Sequence, residues 1–188
     1  MPVKCILEQQ KESLDTSKEL LLGVKFKKCQ NFKLLGFSDS DWGGFVDDMK
    51  STYGYYFSLG SGVFSWCCKK QEIVAQSTAE AEFVAATTAV NQALWLRKLL
   101  CDLNLKQLND TEVFMDNQAA IAISHNPVFH GKTKHFKIKF FFLREVQKEG
   151  EVSLIYCRSE DQLADIFTKS LPANKFQLLR QRLGVCSS

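Results

Sequence analysis

The sequence predicts an α/β domain built on a five-stranded mixed sheet, with three antiparallel strands first and helices flanking the sheet. Two observations lead to this fold class. Three runs rich in aromatic and aliphatic residues come first, separated by short polar or glycine-rich turns, as in successive antiparallel strands. After them helical and strand patterns alternate, which is typical of strands added to a sheet through helical connections. The predicted order is β-β-β-α-β-α-α-β-α.

The first three strands are predicted at residues 32–37, 53–59 and 63–68. Gly60-Ser61-Gly62 separates the second strand from the third and indicates a hairpin. Residues 1–30 show weak periodicity, with one possible strand at 20–26. We therefore divide the chain into a poorly defined N-terminal segment (1–30), the α/β domain (31–171) and a C-terminal helix and tail (172–188).

A long helix is predicted to begin after Ser77, because Ser77 and Glu80 have the spacing of a capping box. Nothing in the sequence interrupts this helix before about Asp102. Glu82 lies on one helical face with small residues, and such a face can approach a sheet closely. These small residues are Ala86, Ala89 and Ala93.

The rest of the chain supplies two more strands and four more helices. A second Ser-x-x-Gln pattern, Ser159 to Gln162, predicts another capping box that opens a helix through Phe167 and Lys169. The remaining predictions are strands at 112–115 and 152–157, and helices at 117–124, 136–146 and 176–183.

Composition excludes several classes of protein. The hydrophobic content of 45% is too high for a disordered chain, and the net charge of +3 does not by itself indicate nucleic-acid binding. None of the seven cysteines forms a Cys-x-x-Cys pair, which argues against zinc ribbons and thioredoxin motifs. Without a run of about 18 apolar residues, we expect a soluble intracellular protein with free thiols.

Four acidic residues lie at strand ends or on helices where they can converge: Asp39, Glu82, Asp116 and Asp165. Mg²⁺ prefers oxygen ligands, and four carboxylates can hold two ions about 3.5–4 Å apart for phosphodiester cleavage. Taken singly, each residue has an ordinary alternative as a surface or helix-capping acid.

Short motifs along the chain resemble the ribonuclease H domain of copia-type retrotransposon Pol polyproteins, over roughly residues 31–185. The motifs are Asp39-x-Asp41-Trp42, Lys50-Ser51-Thr52-x-Gly54-Tyr55, Ser65-Trp66, Lys69-Lys70-Gln71, Ala79-Glu80-Ala81-Glu82-Phe83, Asp116-Asn117-Gln118-Ala119-Ala120-Ile121, Thr133-Lys134-His135 and Gln162-x-Ala164-Asp165-Ile166-x-Thr168-Lys169.

This resemblance implies a ribonuclease H-like fold and a metal-dependent endonuclease that hydrolyses the RNA strand of RNA–DNA hybrids. It implies two Mg²⁺ ions, with Mn²⁺ as a possible substitute, held by Asp39, Glu82, Asp116 and Asp165. Asp39 is favoured over Asp41 because it directly follows the strand, and Glu82 over Glu80 because the capping box uses Glu80. The expected partners are the hybrid and the reverse transcriptase of a parent polyprotein, in a cytoplasmic particle or the nucleus, with no membrane.

Basic residues cluster after His130 and are predicted to bind nucleic acid: Lys132, Lys134, Lys137, Arg144 and Lys148. On a helix Lys137, Arg144 and Lys148 share one face, which can follow a phosphate backbone. The alternative is an ordinary solvated face opposite Phe136, Phe140 and Leu143.

Cellular ribonucleases H carry a histidine in the loop before the final aspartate, whereas the loop Cys157–Glu160 has none, as in the copia-type pattern generally. The chain departs from the copia-type pattern at Lys137 and Phe141, which stand where the family commonly has an acid and a histidine. A second hypothesis is therefore a catalytically weak or inactive retrotransposon remnant that binds nucleic acid. A third is a DNA-cutting nuclease or transposase on the same fold.

Overall fold

The structure is a computed structural model that describes residues 22–24, 32–45, 47–125 and 134–187. Its strands are β1 (Leu22–Val24), β2 (Leu34–Asp41), β3 (Thr52–Leu59), β4 (Gly62–Lys70), β5 (Thr111–Met115), β6 (Val152–Tyr156) and β7 (Val185–Ser187). Its helices are α1 (Thr78–Asp102), α2 (Gln118–His125), α3 (Lys134–Lys148) and α4 (Ala173–Arg182), with a 3-10 helix at Leu163–Phe167. None of these helices is long and apolar enough to cross a membrane.

The central sheet confirms the predicted fold class. Its strand order is β4-β3-β2-β5-β6, with β3 antiparallel to both of its neighbours, β2 and β4. Strands β5 and β6 are parallel to β2 and continue the sheet through the helical connections. The possible strand near residue 20 is confirmed only as the short β1, which pairs with β7, a strand that was not predicted. The predicted division of the chain at residues 30 and 171 stays a prediction.

Helix α1 begins as the first capping box predicts and covers one face of the sheet. The Ser77 hydroxyl accepts from the Glu80 N–H at 3.2 Å. The Glu80 carboxylate accepts from the Gln76 N–H at 3.0 Å, one residue before the N–H of Ser77 that a capping box uses. The predicted small face is buried and packs in the main core with Leu34, Phe57, Val113 and Met115. The members of that face are Glu82, Ala86, Ala89 and Ala93.

The 3-10 helix and α4 pack against the opposite face of the sheet, in a cluster of Tyr56, Ile166, Phe167, Phe176 and Leu179. Gly54 of β3 allows this close approach. A Cβ atom added to Gly54 would lie 2.7 Å from the Cβ of Phe167 and 2.9 Å from the Cγ2 of Thr168. Gly54 is also the residue opposite Asp39 in the β2–β3 pairing. The missing side chain therefore lets the 3-10 helix lie beside Asp39.

The second predicted capping box is wrong. The helix that it was expected to open is the short 3-10 helix, and its N-cap is Gln162 rather than Ser159. The Gln162 amide oxygen accepts from the Ala164 N–H at 3.1 Å, and its Nε2 donates to the Ser38 carbonyl of β2 at 3.0 Å. These bonds hold fully buried Gln162 in an extended conformation, so the helix begins only after it.

Candidate metal centre

Three of the predicted acidic residues meet where β2 and β5 end. Strands β2 and β5 run parallel with Phe37 paired to Phe114, so Asp39 and Asp116 each follow two residues later, at the same level. Glu82 comes from the second turn of α1. One carboxylate oxygen from each of Asp39, Glu82 and Asp116 lies within 4.8 Å of the other two. The carboxyl ends of parallel strands commonly carry functional sites in α/β proteins.

Each carboxylate in this group has one oxygen held by a neighbouring hydrogen-bond donor. The Ser40 N–H donates to Glu82 Oε1 at 3.0 Å. The Thr168 hydroxyl donates to Asp39 Oδ2, and the Ser159 hydroxyl donates to Asp116 Oδ2 at 2.9 Å. These donors orient the carboxylates without neutralising them.

The second oxygen of Glu82 is buried and has no hydrogen-bond partner among the described residues. Glu82 is only 5% exposed and Asp39 only 1% exposed, whereas Asp116 is partly exposed. A buried polar atom without a partner is costly and calls for an explanation. Three hard oxygen donors so close together fit a divalent cation such as Mg²⁺.

The electrostatics of the three carboxylates also favour a bound cation. Burial, together with the nearby carboxylates of Asp165 and Asp116, raises the pKa of Asp39 to about 6, although Lys169 and Thr168 oppose the change. Burial, followed by the charges of Asp39 and Asp116, raises the pKa of Glu82 well above its usual value. Negative charge is thus disfavoured here in the absence of a cation, and a bound cation would restore it.

The fourth predicted residue, Asp165, lies in the 3-10 helix and is 1% exposed. Its carboxylate is engaged by two lysines, with Lys169 Nζ at 2.7 Å from Oδ1 and Lys175 Nζ at 2.5 Å from Oδ2. Lys169 Nζ also lies 3.7 Å from Asp39 Oδ2. Burial disfavours the charge of Lys169, but Asp39 and Asp165 outweigh it and raise the pKa of this lysine. Asp165 is therefore linked to Asp39 through Lys169, and its role as a metal ligand stays a prediction.

The predicted nucleic-acid-binding residues lie mainly on α3, except Lys132, which is outside the described residues. Lys134, Lys137 and Lys148 are exposed, and Arg144 is partly exposed. The opposite face is buried as predicted, through Phe136, Phe140 and Leu143. Phe136 stacks on Phe83, the residue next to Glu82, with ring centroids 4.7 Å apart. The basic face thus belongs to a helix anchored beside the carboxylate group, and nucleic-acid binding stays a prediction.

The sequence interpretation assigned no role beside the carboxylates to the residues that contact them, namely Ser159, Thr168, Lys169 and Lys175. Lys169 had a usable signal, because it follows Asp165 by four residues, a spacing at which side chains on a helix meet. Lys175 gave none, since its position depends on how α4 packs against the 3-10 helix.

Comparison with solved structures identifies the class of fold as that of ribonuclease H. The chain matches LC11-RNase H1, solved in complex with an RNA/DNA hybrid, with a TM-score of 0.51 over 72% of this chain and 94% of that one, at 16% identity. It matches the N-terminal RNase H domain of rv2228c from Mycobacterium tuberculosis with a TM-score of 0.53 over 80% of this chain and 98% of that one, at 12% identity.

Comparison of sequences confirms the resemblance to retrotransposon polyproteins. The chain is 36% identical over 155 residues, 82% of its length, to the retrovirus-related Pol polyprotein from transposon TNT 1-94 of Nicotiana tabacum. It is 35% identical over 163 residues, 87% of its length, to that from transposon RE1 of Arabidopsis thaliana. The matched regions span only 12% and 11% of those polyproteins. No protein-family model matches the chain.

Proposed function

We propose that this chain is a metal-dependent endonuclease that hydrolyses the RNA strand of RNA–DNA hybrids, as the ribonuclease H part of a retrotransposon polyprotein. The observation that carries the proposal is the group of Asp39, Glu82 and Asp116, within 4.8 Å of one another, with one oxygen of Glu82 buried and unpartnered among the described residues. The hybrid named for LC11-RNase H1 supports the substrate class.

In this proposal Asp39, Glu82 and Asp116 hold Mg²⁺, or Mn²⁺ in its place, and Asp165 completes a two-ion site. A bound ion supplies charge neutralisation for the scissile phosphate and lowers the pKa of water for attack. The protein's own contribution is orientation. Ser40 and Thr168 each donate to one oxygen of Glu82 and Asp39, which restricts the rotation of both carboxylates.

The exposure of the three carboxylates suggests the side from which substrate approaches. Asp39 and Glu82 are buried, whereas Asp116 is partly exposed, so a phosphate reaches the group from the side of Asp116. The basic face of α3 would hold the hybrid beyond it. The expected natural partner is the reverse transcriptase of the same polyprotein, in a cytoplasmic particle or the nucleus.

Single-turnover cleavage of an end-labelled RNA–DNA hybrid at saturating protein, with Mg²⁺ and with EDTA, tests this proposal. We expect slow, Mg²⁺-dependent cleavage of the RNA strand. Asp116→Asn should abolish cleavage and leave the fold intact, because it removes one charge from a group that repels itself without metal.

Two other results would each contradict this proposal and support a different function. Binding of the hybrid with no cleavage at saturation would support the inactive-remnant hypothesis. Equal cleavage of duplex DNA would support a DNA nuclease on the same fold.

A further inference from the structure

We infer that Lys169 is an internal counter-ion that lies where a second divalent cation would bind, so that the resting chain has one strong ion site rather than two. The inference rests on the proposed function only in taking Asp39, Glu82 and Asp116 as the first metal site.

The geometry places the Lys169 ammonium between two buried carboxylates. It lies 2.7 Å from Asp165 Oδ1 and 3.7 Å from Asp39 Oδ2. Both acids are 1% exposed, while the Lys169 side chain is 36% exposed. The lysine thus extends from the surface to bridge Asp39, which belongs to the three-carboxylate group, and Asp165, which does not.

The charges already beside Asp165 determine how strongly a second ion would bind. A first ion among Asp39, Glu82 and Asp116 leaves Asp165 as the fourth predicted site acid through which another ion could join. Both oxygens of Asp165 already contact ammonium groups, those of Lys169 and Lys175. A divalent ion between Asp39 and Asp165 would lie within a few ångströms of the Lys169 charge, and this repulsion weakens its binding.

Lys169 is able to leave, because its four-carbon side chain is flexible and its charge is readily solvated. A second ion therefore binds only as Lys169 swings toward solvent. This makes Lys169 a positioning residue that sets the affinity of the second ion.

Lys175 offers a matched control. It contacts the same carboxylate at 2.5 Å and also donates to the Ser159 carbonyl at 3.3 Å. In the described part of the chain it forms no ion pair with Asp39. Lys175→Gln removes the same charge from Asp165 while the bridge through Lys169 remains.

The test is calorimetric titration of Mn²⁺ into the full chain without nucleic acid, for the wild type, Lys169→Gln and Lys175→Gln. Glutamine retains a hydrogen-bond donor for Asp165. We expect one strong Mn²⁺ site in the wild type, and a second site at least about tenfold tighter in Lys169→Gln than in the wild type. Lys175→Gln should show a clearly smaller gain.

Three results would overturn the inference: two strong sites in the wild type, no gain in Lys169→Gln, or an equal gain in Lys175→Gln. If Lys169→Gln is unfolded without metal, Mn²⁺ should restore its circular dichroism spectrum, and failure to do so also overturns the inference. Since no cleavage is measured, a chain that binds Mn²⁺ as expected but never cuts RNA would contradict the proposed function alone.

Discussion

The surroundings of a single residue, Asp39, explain why the site favours a cation. It is buried, and the Thr168 hydroxyl and the more distant Lys169 ammonium compensate its charge only in part. Its pKa of about 6 lies above the ordinary value of 3.8. The folded chain therefore binds this proton more tightly than the unfolded chain does.

The sign of the pH dependence follows from that difference. For an acid whose pKa is raised by folding, the stabilisation is present below the ordinary pKa and is lost as the pH rises through the folded-state pKa. Without divalent cations, we expect the free energy of unfolding to fall by about 1–3 kcal/mol between about pH 4 and pH 7. Glu82 contributes in the same direction, because its pKa is raised too.

Urea denaturation across this pH range, with and without Mg²⁺, measures the effect. Asp39→Asn is the matched control and should show a flatter pH profile, since other titrating groups are common to both chains. Mg²⁺ should stabilise the wild type more as the pH rises through about 6, because the ion requires ionised carboxylates. Identical profiles for the wild type and Asp39→Asn would contradict the pKa change.

Two neighbouring acids on α1 have different roles, and substitution separates them. Glu82→Gln keeps an oxygen for the Ser40 N–H but removes the charge, so it should lose most cleavage and most Mg²⁺-induced thermal stabilisation at little cost in stability. Glu80→Gln keeps an acceptor for the Gln76 N–H, so it should cost less than about 1 kcal/mol and leave cleavage unchanged. Reversed results would mean that Glu80, not Glu82, serves the site.

Two similar capping-box patterns, at Ser77 and at Ser159, differ in the structure: the first caps a helix and the second does not. Ser77 caps α1 as predicted, and its hydroxyl accepts from the Glu80 N–H. Ser159 has the same spacing pattern, but its hydroxyl donates to Asp116. That partner is 43 residues away and is placed by β5. Local spacing therefore does not by itself decide whether a serine caps a helix.

Gly54 connects the packing of the 3-10 helix to the metal centre. Alanine there would place its Cβ 2.7 Å from Phe167 Cβ and 2.9 Å from Thr168 Cγ2. We expect Gly54→Ala to lower the free energy of unfolding by about 1–3 kcal/mol, because the 3-10 helix must shift. The same shift moves Thr168 away from Asp39, so Mg²⁺-induced stabilisation should also fall.

Urea denaturation and thermal melting with Mg²⁺ measure both effects of Gly54→Ala. Ser58→Ala, a change on the same strand at a partly buried position, is the control and should have a small effect. A loss in Gly54→Ala no greater than in Ser58→Ala would show that the 3-10 helix moves aside at no cost.

The order of elements in the whole chain was predictable because strand and helix patterns follow one another with clear turns, whereas the order of strands in the sheet was not predicted. The approach of Asp39, Glu82 and Asp116 was also predictable. Asp39 lies two residues before the end of β2, Asp116 directly follows β5, and Glu82 is on the sheet-facing side of a helix. The ion pair of Asp165 with Lys175 was not, because it depends on how α4 packs against the 3-10 helix on the far face of the sheet. The ion pair with Lys169 had a signal in the four-residue spacing, which the sequence interpretation did not use.

The basic face of α3 is the feature through which the whole molecule would hold a hybrid. Neutralised phosphates release counter-ions, so each contact adds up to about one unit to the slope of binding affinity against salt concentration on logarithmic axes. Lys137→Ala with Lys148→Ala should therefore flatten that slope by up to about two units, and adding Arg144→Ala should flatten it further. The measurement is hybrid binding at several NaCl concentrations with EDTA present.

The control is a second double variant, Lys98→Ala with Lys106→Ala, which removes two exposed charges and should leave the slope unchanged. Lys98 lies about 24 Å along α1 from Glu82, and Lys106 lies beyond the end of that helix. Equal slopes for both double variants would mean that α3 presents only a solvated face.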